Sequence, residues 1–275
     1  MEGNMKRKGI AQETLKIQQQ GYYERAGERI DISGIQKSSE DLSRLITPEQ
    51  GKTIVRETAP PNAGVRPVYR IVKQSAVQAV VDLGGTGAAP AVLNFASAKN
   101  PGGGFLNGAM AQEEALAASS GLYNTLLLHE TYYQVNRGCG TMMYTDHAIY
   151  SPQVAFFRDG AFDLLSAPVK ASVLTLPAVN MGQVILKGED IATAKRTMKD
   201  RMRLSLAIFA KERETHLILG AYGCGVFRND PEDVAAWWLE LLETEGYGYF
   251  FKEIVFAVLD RSGRNIAAFE TRFNM

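Results

Sequence analysis

The sequence predicts an α/β fold, one sheet with helices on both faces, preceded by a mainly helical N-terminal extension. Three observations carry this. Short apolar runs at Ala91–Phe95, Ala171–Pro177, His216–Gly220 and Ile254–Leu259 read as buried strands. Longer segments of helical character alternate with them, at 75–83, 112–132, 191–211, 231–245 and 264–273. Two glycine-rich segments each follow a strand directly, the place where open α/β sheets hold their ligands, so both are expected to face one crevice.

Taken in order, Met5–Gly21 is an amphipathic helix with Ile10, Leu15 and Ile17 on its apolar side, stopped by Gly21. Its Lys6-Arg7-Lys8 cluster reads as a solvated face. Residues 22–34 are a short strand and turn, 38–45 a helix ending before Pro48, and 52–73 a mixture of short β-like runs broken by Pro60-Pro61 and Pro67. Residues 1–67 are therefore expected to be an extension packed on a core domain of residues 68–275. In the core, Ser75 caps the helix that runs to Leu83, and Ala91–Phe95 is the first buried strand. Gln112–Tyr132 reads as one long helix, with Leu116, Leu122, Leu126 and Leu127 at its apolar positions. Ala148–Tyr150 and Val154–Phe157 are two strand fragments. Their aromatics are assigned to core packing ahead of an adenine slot.

At 275 residues the chain has room for one large domain or one domain with an extension. Hydrophobic residues at 45% and charged residues at 22% are those of an ordinary globular protein. A formal net charge of +0 excludes a broadly basic nucleic-acid binder, so no direct DNA binding is expected, and an anionic ligand must be held by local donors. The two cysteines, Cys139 and Cys224, are too few for a disulfide framework and lack metal-ligand spacing. The polar stretch Met1–Gln20 carries no secretory signal, and no run approaches the ~20 apolar residues of a membrane span. A cytoplasmic protein with reduced thiols is expected. His129, His147 and His216 fall on different elements, so each is read as structural, and neither a metal nor another cofactor is implied.

The chemistry concentrates in two places. The first is Asn100-Pro101-Gly102-Gly103-Gly104, followed after seven residues by Gln112-Glu113-Glu114. Three successive glycines free a backbone to approach a ligand and present N–H donors. No Gly-Lys-Ser/Thr follows, so this is not a phosphate loop of the nucleotide-triphosphatase kind, and the contiguous glycines do not form a dinucleotide fingerprint. Asn100 is suited to orienting a sugar hydroxyl. Glu113 and Glu114 project about 100° apart on a helix, so they cannot flank one bond from opposite sides. One carboxyl binds hydroxyls while the other donates a proton to a leaving oxygen, and the donor must be neutral when it acts.

The second place is Gly220–Pro231. Gly223 and Gly225 let the backbone of Gly223, Cys224, Gly225 and Val226 wrap a diphosphate, and Phe227 offers an apolar face to a ribose or base. Asp230-Pro231 caps the next helix. Cys224 has neither a neighbouring histidine nor a CxxC partner, and its thiol is read as structural.

These two segments resemble the signatures of the macrodomain superfamily and, within it, of the bacterial-type poly(ADP-ribose) glycohydrolases. The triple glycine with a following Gln-Glu-Glu stands here as Gly102–Gly104 and Gln112–Glu114, and the phosphate loop as Gly223-Cys224-Gly225-Val226-Phe227. The resemblance covers most of the chain. It implies a macrodomain-like mixed sheet sandwiched between helices, with residues 68–275 as the catalytic domain. It also implies a glycosidase that hydrolyses ribose–ribose O-glycosidic bonds of poly(ADP-ribose), mainly from chain ends, to release ADP-ribose. Glu114 becomes the catalytic acid and base, and Glu113 a binder of ribose hydroxyls. Asn100, Gly102, Gly103, Gly104 and Gln112 line the substrate, the Gly223–Val226 backbone holds the diphosphate, and Phe227 packs on the terminal ribose. The implied partners are ADP-ribose, its polymer and ADP-ribosylated proteins, met by a monomer. A non-catalytic ADP-ribose reader, a mono-ADP-ribosyl hydrolase and an unrelated nucleotide-dependent enzyme are the competing readings. The acid at Glu114 argues against the reader.

Overall fold

The computed structural model describes residues 2–61 and 63–274. A hairpin of β1 (Tyr22–Arg25) and β2 (Glu28–Asp31) stands apart from a seven-stranded sheet. That sheet comprises β3 (Arg44–Ile46), β4 (Val68–Val72), β5 (Pro90–Ala96), β6 (Ala148–Arg158), β7 (Leu164–Pro177), β8 (His216–Leu219) and β9 (Glu253–Ala257), in the order β3-β6-β7-β5-β8-β9-β4. The strands from β7 to β4 are parallel and the β3–β6 and β6–β7 pairs are antiparallel, so the sheet is mixed.

Strand parity sorts the core into two layers. Leu93, Leu174, Leu219 and Phe256 point to one face. There they meet Met198, Met202 and Phe209 of α9 (Ile191–Lys211) and Trp238 of α10 (Pro231–Leu239), with α3 (Pro48–Glu57), α8 (Met181–Leu186) and α11 (Arg264–Phe273) completing that side. Val92, Val173, Ile218 and Val255 point the other way, onto α4 (Ala76–Gly85), α5 (Gln112–Ser119), α6 (Leu122–Leu127) and α7 (Glu130–Arg137). Ahead of these come α1 (Glu2–Gln20) and α2 (Ser33–Leu42).

Several expectations need correction. The helix expected over 112–132 is three short ones, α5, α6 and the start of α7. Ser120 takes an extended conformation (φ −150°, ψ 178°) and bridges Phe156 of β6, and His129 (φ −117°, ψ 53°) breaks the chain again before α7. The β-like reading of 52–73 hides α3, whose start is signalled by a capping box. Thr47 Oγ1 accepts from Gln50 N (3.3 Å), Gln50 Oε1 accepts from Thr47 N (2.8 Å), and Pro48 opens the helix. The helix expected at 38–45 begins earlier, at Ser33, and its end is instead β3, which joins the sheet edge beside β6. The strand fragments at 148–150 and 154–157 are one strand with a bulge at Pro152-Gln153, where Gln153 adopts φ 53°. Beyond α10 the helical path to Glu245 widens into a π turn over Glu240–Thr244.

α1 is held by polar side chains as well as apolar ones. Arg7 Nε donates to Gly108 O (2.7 Å), Thr14 Oγ1 to Ala118 O (2.6 Å) and Gln18 Nε2 to Ser120 O (2.8 Å). The last two cap carbonyls at the open C-terminal end of α5. Arg7 therefore belongs to the packed side of the helix, not to the solvated face expected for it. No helix among the described residues is long and apolar enough to cross a membrane.

Candidate active site

β5 and β8 are adjacent and parallel, so the loops that follow them leave the same edge of the sheet, and Phe95 and Tyr222 at their roots stack with ring centroids 5.3 Å apart. In the first loop Gly102 (φ 65°) and Gly103 (φ 59°) are both left-handed, which the absence of side chains permits. Ser97 Oγ accepts from Asn100 N (3.1 Å), and Gly103 N donates to Asn100 O (3.0 Å), leaving the Asn100 side chain exposed.

The three residues of Gln112-Glu113-Glu114 do different things. Gln112 turns its amide onto the backbone of β5. β8 pairs with β5 only as far as Val92, and past that point the Gln112 amide supplies the missing partners, accepting from Phe95 N (2.8 Å) and donating to Leu93 O (2.8 Å). These two bonds anchor the start of α5 to β5.

Glu113 is buried, at 3% exposure. Oε2 accepts from Ser97 N (2.7 Å) and Oε1 from Asn94 Nδ2 (3.3 Å). Burial pushes its carboxyl up to about 8, and the nearby Glu114 adds to the rise. The N–H groups of Ser97, Asn94 and Gly102 oppose it. Glu114 is half-buried and ties the loop to the helix. Oε1 accepts from Gly104 N (2.8 Å) and Oε2 from Ala111 N (3.0 Å), just ahead of the helix. Both carboxyls converge on Gly103. A Cβ there would run into Glu114 Oε1 and stand 3.1 Å from Glu113 Oε2.

The second loop is folded by Asn229, a buried residue absent from the sequence-level assignment. Its Nδ2 donates to Val179 O (2.8 Å) and Gly223 O (3.0 Å). Gly223 (φ 73°) has no room for a side chain, since a Cβ would lie 2.5 Å from Asn229 Nδ2 and 2.8 Å from Ala178 Cβ. The N–H groups of Gly225, Val226 and Phe227 find no acceptor among the described residues, and Val226 at the tip is 84% exposed. Such a run of free donors is an anion cradle. Burial raises the Cys224 thiol to about 12, in keeping with a structural cysteine.

Phe227 is half-buried, its ring 6.1 Å from that of Tyr144. Tyr144 (φ 59°) lies in a segment cemented by the buried Arg201, which sequence reasoning missed. Arg201 Nη1 donates to Met143 O (2.8 Å) and Pro177 O (2.9 Å), while Nε and Nη2 reach Asp146 Oδ1 (2.9 and 2.8 Å). The available signal was a cation at the spacing of the apolar stripe of α9, between Met198 and Met202 and Ser205. The histidines are satisfied locally: His129 Nε2 by Ser43 (2.7 Å), His147 Nδ1 by Thr145 (2.9 Å) and His216 Nδ1 by Thr215 (2.9 Å). Tyr150, Phe156 and Phe157 are buried in the core, as assigned. Among the described residues no group of three His, Cys, Asp or Glu side chains is placed to hold a metal ion.

Comparison with known proteins gives matches over most of the chain. A family profile described as microbial-type PARG, catalytic domain, matches residues 11–159. The crystal structure of poly(ADP-ribose) glycohydrolase (PARG) from Thermomonospora curvata aligns with a TM-score of 0.94 at 36% identity, covering 98% of this chain and 100% of that one. The same enzyme bound to the inhibitor ADP-HPD gives 0.91 at 35% identity, with 98% and 100% covered. PARG from Deinococcus radiodurans in complex with ADP-ribose gives 0.80 at 41% identity, covering 87% of this chain and 96% of that one. No curated protein sequence gives a match.

Proposed function

Since the chain belongs to the microbial-type poly(ADP-ribose) glycohydrolase family, and so hydrolyses poly(ADP-ribose), we propose that Glu114 is the group that does the chemistry and that the two glycine loops hold the terminal ADP-ribose unit. The observation that supports this reading most directly is the meeting of the Glu113 and Glu114 carboxyls at Gly103, beside an anion cradle rooted on the neighbouring strand.

In this reading the diphosphate lies on the Gly223–Phe227 backbone and the terminal ribose against Phe227, with Asn100 and the glycines alongside. Glu113 accepts hydrogen bonds from ribose hydroxyls. Protonated Glu114 gives its proton to the 2′-oxygen of the departing ribose as the C–O bond breaks. The oxocarbenium-like ribosyl that forms is stabilised by the bound diphosphate. The Glu114 carboxylate then takes a proton from water, whose oxygen bonds to the anomeric carbon, and the acid is regenerated. The Gly104 and Ala111 N–H groups aim its carboxyl.

Cleavage is assigned mainly to chain ends. The reading is supported by α1, which lies against the first loop through Asn4 Nδ2 to Asn107 O (3.3 Å) and Arg7 to Gly108. It gives residues 1–67 the role of an extension bracing the catalytic domain at 68–275. Cytoplasmic action by a monomer on ADP-ribosylated proteins, without DNA binding, belongs to the same reading; two free thiols support the compartment, and a balanced charge supports the lack of a DNA partner. Replacing Glu114 by Gln keeps the side-chain shape, and replacing it by Ala removes it. Both should abolish polymer cleavage while calorimetry still shows ADP-ribose binding within a few-fold of wild type. Turnover near the wild-type rate in either variant refutes the role.

A further inference from the structure

Beneath Glu113 two polar side chains interrupt an apolar layer. Val92, Val173 and Ile218 line the face of the sheet that α5 and α7 cover. Asn94 and Thr175 take the next same-face positions on β5 and β7, where they are register partners, and both are fully buried. Polar groups in such a layer are costly unless bonded. Asn94 Nδ2 donates to Thr175 Oγ1 (3.1 Å) and Glu113 Oε1 (3.3 Å), while Asn94 Oδ1 has no partner among the described residues. Nothing in the hydrolytic steps uses either residue.

We propose that Asn94, braced by Thr175, is a positioning residue that holds the Glu113 carboxylate in place and favours its ionised form. A carboxamide offers a donor on one side and an acceptor on the other, and half a turn about its last bond exchanges them. In the orientation seen here its NH2 faces Glu113 and suits the carboxylate. Thr175 Oγ1 accepts from the same NH2 and fixes its direction. The other groups that bear on the Glu113 oxygens, the N–H groups of Ser97 and Gly102, can only donate. The remaining titratable groups that bear on Glu113 are Glu114 on α5 and the phenols of Tyr132 and Tyr133 on α7. All three are neutral or anionic, so the neutral amide is the side chain able to favour the carboxylate here without adding charge.

The inference rests on Glu113 accepting from ribose hydroxyls, a contact that an ionised and fixed carboxylate makes more strongly. Two readouts separate it from that premise. The first is titration of the Glu113 carboxyl by carbon-13 NMR in the free protein, assigned with Glu113→Gln. The second is the pH dependence of KM for polymer. Asn94→Leu removes the donor at similar volume, Asn94→Asp sets a second carboxylate beside Glu113, and Thr175→Val removes only the brace. In the first two the Glu113 titration should move to higher pH by about one pH unit, with KM near neutrality rising roughly tenfold. Thr175→Val, the variant least able to disturb folding, should move the titration in the same direction by less. A purely structural role lowers the melting temperature and leaves the titration in place. An unmoved titration in Asn94→Leu overturns the inference, whatever happens to activity or in Asn94→Asp. A moved titration with unchanged KM supports it and instead removes the ribose contact assigned to Glu113.

Discussion

Replacing Glu113 by Gln should make the protein more stable than wild type in alkaline solution, by an amount that grows with pH. The Glu113 carboxyl sits at about 8 in the folded protein against an ordinary value of 4.5. Between those values the folded state keeps a proton that the unfolded chain has lost, so stability falls as pH rises through the window. The contribution is complete below the ordinary value and gone once pH passes the folded one. At about 1.36 kcal/mol per pH unit, the ceiling on the loss is between 4 and 5 kcal/mol, a large share of the ~5–15 kcal/mol that holds a domain folded. Glutamine has the shape of the protonated acid but no proton to lose, so its stability carries no such term. Any mismatch of its amide with Ser97 N or Asn94 Nδ2 is a constant offset. Burial lowers the titrations of His129 and His147, which impose the opposite slope, but they are common to both proteins and cancel in the difference. Urea unfolding of both proteins from about pH 5 to about pH 9 gives that difference directly. A value flat to within about 1 kcal/mol across the range would show that Glu113 ionises freely inside the fold and that burial is not what governs it.

Gly103→Ala places a methyl group on Glu114 Oε1 at a φ of 59°, and activity should fall at least ~100-fold at a stability cost of only about 1–2 kcal/mol, read by turnover and urea melts. Gly223→Ala forces a Cβ to 2.5 Å from Asn229 Nδ2. ADP-ribose affinity measured by calorimetry should weaken roughly tenfold or more, with polymer turnover at saturation much less affected. Arg201→Met leaves the carbonyls of Met143 and Pro177 and the carboxylate of Asp146 without their donor, and it should cost about 3–5 kcal/mol in a denaturant melt.

Local sequence determined much of this protein. Val92 and Leu93 at adjacent strand positions already point to opposite layers, Ser75 already caps α4 by accepting from Gln78 N (3.1 Å), and the periodic stretches at 191–211 and 264–273 are helices with those ends. Each depends on side-chain period or turn chemistry within a few residues. The triple glycine, the paired glutamates and the Gly223–Phe227 loop were legible for the same reason, because bare backbone after a strand carries its meaning locally. Thr47-Pro48-Glu49-Gln50 was legible too, and the prolines further on obscured it.

Tertiary structure alone decided the rest. Ser119-Ser120-Gly121 offers only a weak local stop; the bridge from Ser120 to Phe156 fixes the break, and that partner lies beyond two further helices, on β6. The bonds of the Gln112 amide to β5 exist only because β8 ends early and leaves β5 with open hydrogen-bonding groups. Asn94, Asn229 and Arg201 are ordinary polar letters in sequence, and they become supports of the site only because the strand order brings Glu113, Val179 and Pro177 to them. Period and turn chemistry are short-range properties of the chain. Which buried polar atom finds a partner depends on contacts between residues far apart along the chain, and the desolvation cost of leaving it unpaired is settled only when the sheet closes.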